Sequence, residues 1–136
     1  MYKFPKTQKI CNAKDITQLF AKGDSILLYP LSIRFIIKKE SSFPEVKILI
    51  VSPKRYQKFA VNRNKIKRLI RENYRINKAD IISFAKQKNI SINLSISYIS
   101  HNTQDLNLIK TNIPQVLSII IKKITHKLEK DNQDNK

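Results

Sequence analysis

Nine lysines and arginines fall within SPKRYQKFAVNRNKIKRLIRENYR, residues 52–75, against a single acid, Glu72. Fixed cations at this density suit one kind of chemistry, the binding of a polyanion. Tyr56 and Phe59 lie among Lys54, Arg55 and Lys58. Cations for phosphates and rings for unstacked bases together make the composition of an RNA-binding surface.

Placed on a helix, Arg63, Lys67, Arg71 and Arg75 recur every fourth residue and form one slowly drifting ridge, with Asn64 and Arg68 on the same side. Ile66, Leu69, Ile70 and Tyr74 take the other side, with Asn73 among them. The plain alternative is a solvated basic face, the usual meaning of a charge run. The basic, aromatic loop just before the helix favours nucleic acid over that alternative.

Side chains that could carry out chemistry themselves are not grouped. A general acid–base pair needs titratable groups converging in a pocket, and the ten Asp and Glu residues are scattered. Cys11 has no base partner nearby in sequence. His101 and His126 stand alone, and neither a CxxC nor an HExxH spacing occurs, so no catalytic residue and no metal site is expected on the protein.

The chain's 136 residues fit one domain. The charge is 27 basic against 10 acidic residues, net +17. Lysine, isoleucine and asparagine are abundant together, so part of the lysine excess can reflect A/T-rich coding DNA. The arginines escape that explanation, because five of the six lie between Arg55 and Arg75. A lone cysteine suits a reducing compartment. The N-terminus shows no signal-peptide core, and the run Ile119–Ile121 is too short to span a bilayer. The expectation is a cytoplasmic protein with neither membrane nor small-molecule partners.

Periodicity supplies the elements that position the basic segment. Residues 12–22 read as a helix on Ile16, Leu19 and Phe20, stopped by Gly23. Residues 31–38 alternate as a strand, with Leu31, Ile33, Phe35 and Ile37 on one face. Arg34 stands on the other face and reads as a solvated charge. Ser41, Ser42 and Pro44 signal a turn into a second strand, Val46–Val51, which is apolar enough for burial on both faces. The pair reads as an antiparallel hairpin. Asn62 is the expected N-cap of a helix reaching about Ile76. Ile90–Tyr98 alternates as a third strand. Asn112 and Pro114 suggest a cap and a first-turn proline for a last helix with the stripe Ile113, Val116, Leu117, Ile120, Ile121, Ile124 and Leu128. Residues 1–128 would form one RNA-binding domain, and the polar residues 129–136 a disordered tail. The order α-β-β-α-β-α, with room for one extra short strand near the basic loop, implies an α+β two-layer sandwich.

The segment FAVNRNKIKRLIRENYR resembles the signature of the bacterial ribonuclease P protein component, approximately A-V-x-R-N-R-x-K-R-x-x-R-E. Ala60, Val61, Arg63, Asn64, Lys67, Arg68, Arg71 and Glu72 match it. Lys65 replaces an arginine, keeping the charge and losing the bidentate fork. AKDITQLFAKG resembles the family's first helix, with Ile16 where an aromatic is common. The resemblance implies a ribosomal protein S5 domain 2-like fold with a left-handed βαβ crossover, where the general expectation is right-handed. It also implies a holoenzyme in which a catalytic RNA and its Mg²⁺ ions remove the 5′ leader of precursor tRNA. The protein would bind that RNA through Lys54, Arg55, Lys58, Arg63, Asn64, Lys65, Lys67, Arg68, Arg71 and Arg75. The leader would lie in a cleft between the first helix and the sheet, with Phe20, Phe35 and Tyr56 as candidates; for both phenylalanines core packing is the competing reading. A noncatalytic RNA-binding protein, such as a ribosomal protein or RNA chaperone, is the alternative, and it gives no reason for the R-N-x-x-K-R-x-x-R-E spacing.

Overall fold

The computed structural model describes residues 13–39, 44–102 and 104–134. In chain order these form α1 (Ala13–Lys22), β1 (Asp24–Leu28), β2 (Leu31–Lys38), β3 (Val46–Val51), α2 (Ala60–Asn77), α3 (Ala79–Lys88), β4 (Ser91–Tyr98), a 3₁₀ turn (Gln104–Leu106) and α4 (Asn107–Asp134). The α+β architecture expected from periodicity is present, with β1 and α3 as additions.

The four strands lie in the order β1-β2-β4-β3. β1 and β2 are antiparallel, as are β2 and β4, whereas β3 and β4 are parallel. The expected hairpin of residues 31–38 with 46–51 is therefore not formed; β4 sits between those strands. β4 has the stronger claim to the centre, because Ile92, Leu94, Ile96 and Tyr98 are all fully buried. β3 is an edge strand: Val46 and Ile48 are buried, and Leu49, Ile50 and Val51 only half so, which corrects the expectation of burial on both faces. The parallel pair is bridged by α2 and α3, a βαβ crossover.

One sheet face carries Leu31, Ile33 and Phe35 opposite Tyr98, Ile96 and Leu94, with Ile48 beyond. These join Ile66, Ile70 and Tyr74 of α2, Ile81 and Ala85 of α3, and Ile109, Ile113, Val116, Leu117, Ile120 and Ile124 of α4 in one apolar core. The α4 stripe is as periodicity predicts. The helix itself starts earlier and ends later than expected: Pro114 lies inside it, and it runs to Asp134, so that residues 129–134 are helical where a disordered tail is expected. Asn112 therefore lies inside the helix and does not cap it, and another asparagine caps the 3₁₀ turn that precedes α4. Asn102 Oδ1 accepts from the backbone N–H groups of Gln104 and Asp105 at 2.9 and 3.2 Å, while Asn112 donates its side-chain amide to the Tyr29 carbonyl at 3.0 Å.

α1 lies on the opposite face of the sheet. Arg34 of β2 reaches it, donating from Nη1 to the Phe20 carbonyl oxygen at 2.7 Å. Leu19 is fully buried beneath α1, Ile16 half-buried, and Phe20 partly exposed. Gly23 closes the helix, its N–H donating to the Leu19 carbonyl. A Cβ there would stand 2.3 Å from the Leu19 oxygen and 3.1 Å from that of Phe35, so the tight passage into β1 requires glycine.

Candidate nucleic-acid interface

α2 separates its residues sharply. Ile66, Ile70 and Tyr74 are buried in the core, each four positions from the next. Burial holds the Tyr74 hydroxyl well above the usual tyrosine range. On the outer side Asn64, Lys65, Arg68, Arg71 and Glu72 are exposed, and Lys67 and Arg75 flank them half-buried. The ridge expected from four-residue spacing is thus the shoulder of the helix, and its centre is the exposed set around Arg68.

Arg63 serves a different purpose. Its Nη1 donates to the Lys58 carbonyl at 2.8 Å and to the Gln57 carbonyl at 3.1 Å. α2 starts at Ala60, with extended Phe59 in the cap position and no side-chain cap bond. Asn62, the expected cap, lies inside the first turn. The Arg63 guanidinium thereby ties the basic loop to the helix it precedes and fixes where Lys54, Arg55 and Lys58, all exposed, are presented. Tyr56 is half-buried, with the Arg55 guanidinium 4.8 Å from its ring centroid and the His101 ring 5.0 Å away.

A second surface, formed among the described residues, lies on the α1 face of the sheet. Arg34 pairs in register with Ser95, Ser32 with Ser97, and Ile36 with Asn93. Leu49 and Val51 of β3 extend that floor beside Ser95 and Ser97. Ser95 is buried in this floor and Ser32, Ser97 and Asn93 are half-buried, and α1 walls it at Phe20, whose ring centroid is 5.8 Å from the Arg34 guanidinium carbon. Phe20 is 40% exposed at this wall. Phe35 is only 2% exposed and faces the core on the far side of the sheet, so it cannot stack on a base. That overturns its place among the leader candidates. Arg34, read from sequence as a solvated charge, is half-buried and bonded to α1. The strand alternation itself carries that signal, since Arg34 must lie on the face that Phe35 does not, which is the face α1 crosses.

Among the described residues, no group of three or more His, Cys, Asp or Glu side chains comes together to hold a metal ion, and no helix is long and apolar enough to cross a membrane.

A profile of the Ribonuclease P family matches residues 4–110. The ribonuclease P protein components of two Porphyromonas gingivalis strains are each 26% identical over 106 residues, covering 77% of this chain and 77% of the relative. Among solved structures, the Staphylococcus aureus RNase P protein superposes with a TM-score of 0.65 at 23% identity, covering 85% of this chain and 96% of that one. The RNase P protein of Thermotoga maritima gives 0.56 at 17% identity, covering 84% and 96%.

Proposed function

The chain belongs to the ribonuclease P protein family, and from that premise we propose that its α2 face and basic loop bind the catalytic RNA subunit while the α1 face of the sheet holds the 5′ leader of precursor tRNA. The family places it in tRNA processing, as the protein component of a ribonucleoprotein endoribonuclease. The observation that carries the proposal is the division of α2: exposed Asn64, Lys65, Arg68 and Arg71 stand directly opposite buried Ile66, Ile70 and Tyr74. A cationic row of this kind is held rigidly by the core and offered whole to an anionic partner.

Hydrolysis of the phosphodiester belongs, in this reading, to the RNA subunit, which would also hold the Mg²⁺. The protein's part is electrostatic and positional. Its cations offset phosphate repulsion between two RNAs where divalent ions are scarce. Arg34 and Phe20 offer the leader a cation and an exposed ring at the cleft wall.

Reconstitution tests this. Added to its cognate catalytic RNA at low Mg²⁺, the protein should restore accurate 5′ maturation, and protein alone should cut nothing. Correct cleavage by RNA-free protein would overturn the division of labour. RNA recovered with the purified protein should be one structured species of a few hundred nucleotides; ribosomal RNA would favour a noncatalytic RNA-binding protein instead.

A further inference from the structure

Two loops pinned to one another enclose a groove of about 480 Å³ beside the start of α2. The buried Gln57 side chain joins them, donating to the Ser100 carbonyl at 2.8 Å. Arg63 holds the first loop through the Gln57 and Lys58 carbonyls. The second is held at Ser100, whose hydroxyl donates to Asp105 Oδ2 at 2.6 Å, and at Tyr29, whose hydroxyl donates to the same carboxylate at 3.0 Å. The walls are therefore in place before anything binds.

What lines the groove is unusual for a plain loop surface. Phe59 is 66% exposed, although a phenylalanine ring gains by burial. The His101 ring lies across from it on the second loop, propped against Tyr56 at 5.0 Å and tilted by 54°. Lys58 stands exposed at the rim, and Asn62 and Gln104 bring amide groups to the walls. A ring with a free face, a cation and amides able to reach a base edge are the parts of a site for an unstacked nucleotide.

We propose that this groove takes a single unstacked nucleotide of an RNA strand, its base on the Phe59 ring beside His101 and its phosphate at Lys58. The proposal rests on the RNA-binding reading above and adds an aromatic, base-contacting site to it. The nucleotide can come from the catalytic RNA or from precursor tRNA, and the test separates the two.

The chain contains no tryptophan, so Phe59→Trp puts a unique fluorophore at an exposed position. A base stacked on the indole quenches its emission. Gln87→Trp, exposed on α3 and outside both proposed RNA surfaces, serves as the reference. Each is titrated with catalytic RNA, leadered precursor tRNA and leaderless tRNA, with binding followed separately on labelled RNA. The expected result is saturable quenching of Phe59→Trp alone, following the binding curve of whichever RNA supplies the nucleotide. Phe59→Ala should weaken that RNA on the order of tenfold and Phe59→Tyr restore it. Tight, salt-dependent binding of all three RNAs without quenching would remove the groove and leave the α2 reading intact. Failure of the wild-type protein to bind any of them would remove both.

Discussion

Phe35 and Arg34 are adjacent in β2, yet they serve opposite halves of the molecule. The Phe35 face is closed by α2, α3 and α4 over isoleucine, leucine and tyrosine. The Arg34 face carries half-buried Ser32, Ser97 and Asn93 and buried Ser95, and among the described residues α1 crosses it. The strand's two-residue period keeps stability on one side and the α1 surface on the other. Substitutions on the α1 side should therefore report on RNA with little cost to folding, and those on the closed side the reverse.

The largest expected effect tests the closed side. Phe35→Ala should destabilise the protein by about 3–5 kcal/mol through the void it leaves, read by urea unfolding. Leadered and leaderless substrates should then suffer equally. A Phe35→Ala protein as stable as wild type that loses only leadered substrates would break the comparison. The basic face of α2 comes next. Replacing Lys65, Arg68 and Arg71 together with Ala should weaken catalytic-RNA binding and flatten the dependence of log K on log salt. The slope should fall by roughly 0.7 for each single-strand phosphate left without its cation, and by roughly 0.9 for each duplex phosphate. Unfolding should move little, since surface changes usually stay within about 0.5 kcal/mol each; an unchanged slope would remove the assignment.

Much of this division is legible in the sequence, and its gaps have physical causes. The apolar stripes of α2, β2, β4 and α4 mark the core, because burial imposes periods that survive in any single sequence. Strand order does not follow from such patterns: a turn at Ser41, Ser42 and Pro44 suits a hairpin and equally suits a connection spanning the width of β4. Residues 40–43 lie outside the described residues. β1 leaves little trace in the sequence because DSILL is an edge strand with one buried residue, Ile26. α3 is equally faint because only Ile81 and Ala85 of ADIISFAKQK are buried, too few to set a period. The two helix caps differ from expectation for one cause. Asn62 and Asn112 have the right residue type, but a cap is decided by which backbone N–H groups lie in reach, and both residues lie inside their helices rather than before them. For the site, composition located the basic helix and loop, whereas the role of Arg63 as a tie to the loop needed coordinates.

A smaller effect is expected at the cleft wall. Phe20→Ala and Arg34→Ala should each weaken leadered precursor tRNA on the order of tenfold, the value of one base–aromatic stack, and leave leaderless tRNA and the catalytic RNA unaffected. Arg34→Lys keeps the charge but not the planar fork that reaches the Phe20 carbonyl. It should recover only part of the loss. Equal losses on leadered and leaderless tRNA would show that α1 and Arg34 do no more than cover the sheet.

The smallest effect belongs to the closed side and appears only in alkali. Burial raises the hydroxyl pKa of Tyr74, and burial likewise raises that of Tyr98, whose hydroxyl donates to the Asn102 carbonyl at 2.7 Å. In the unfolded chain both titrate near the ordinary value of about 10. Below that pH both states keep the proton and stability is unaffected. Above it the unfolded state loses the proton first, so stability falls with rising pH, by at most about 1.4 kcal/mol per pH unit for each tyrosine. Changes of net charge in this range also alter self-repulsion in the folded protein. That contribution is common to wild type and Tyr74→Phe, so the comparison between them isolates the tyrosine. Urea unfolding at intervals from about pH 8 to pH 11.5 should give parallel curves below pH 10 and a shallower decline for Tyr74→Phe above it. Curves that stay parallel throughout would mean that Tyr74 reaches solvent, and that α2 is seated less firmly on the core than its basic face requires.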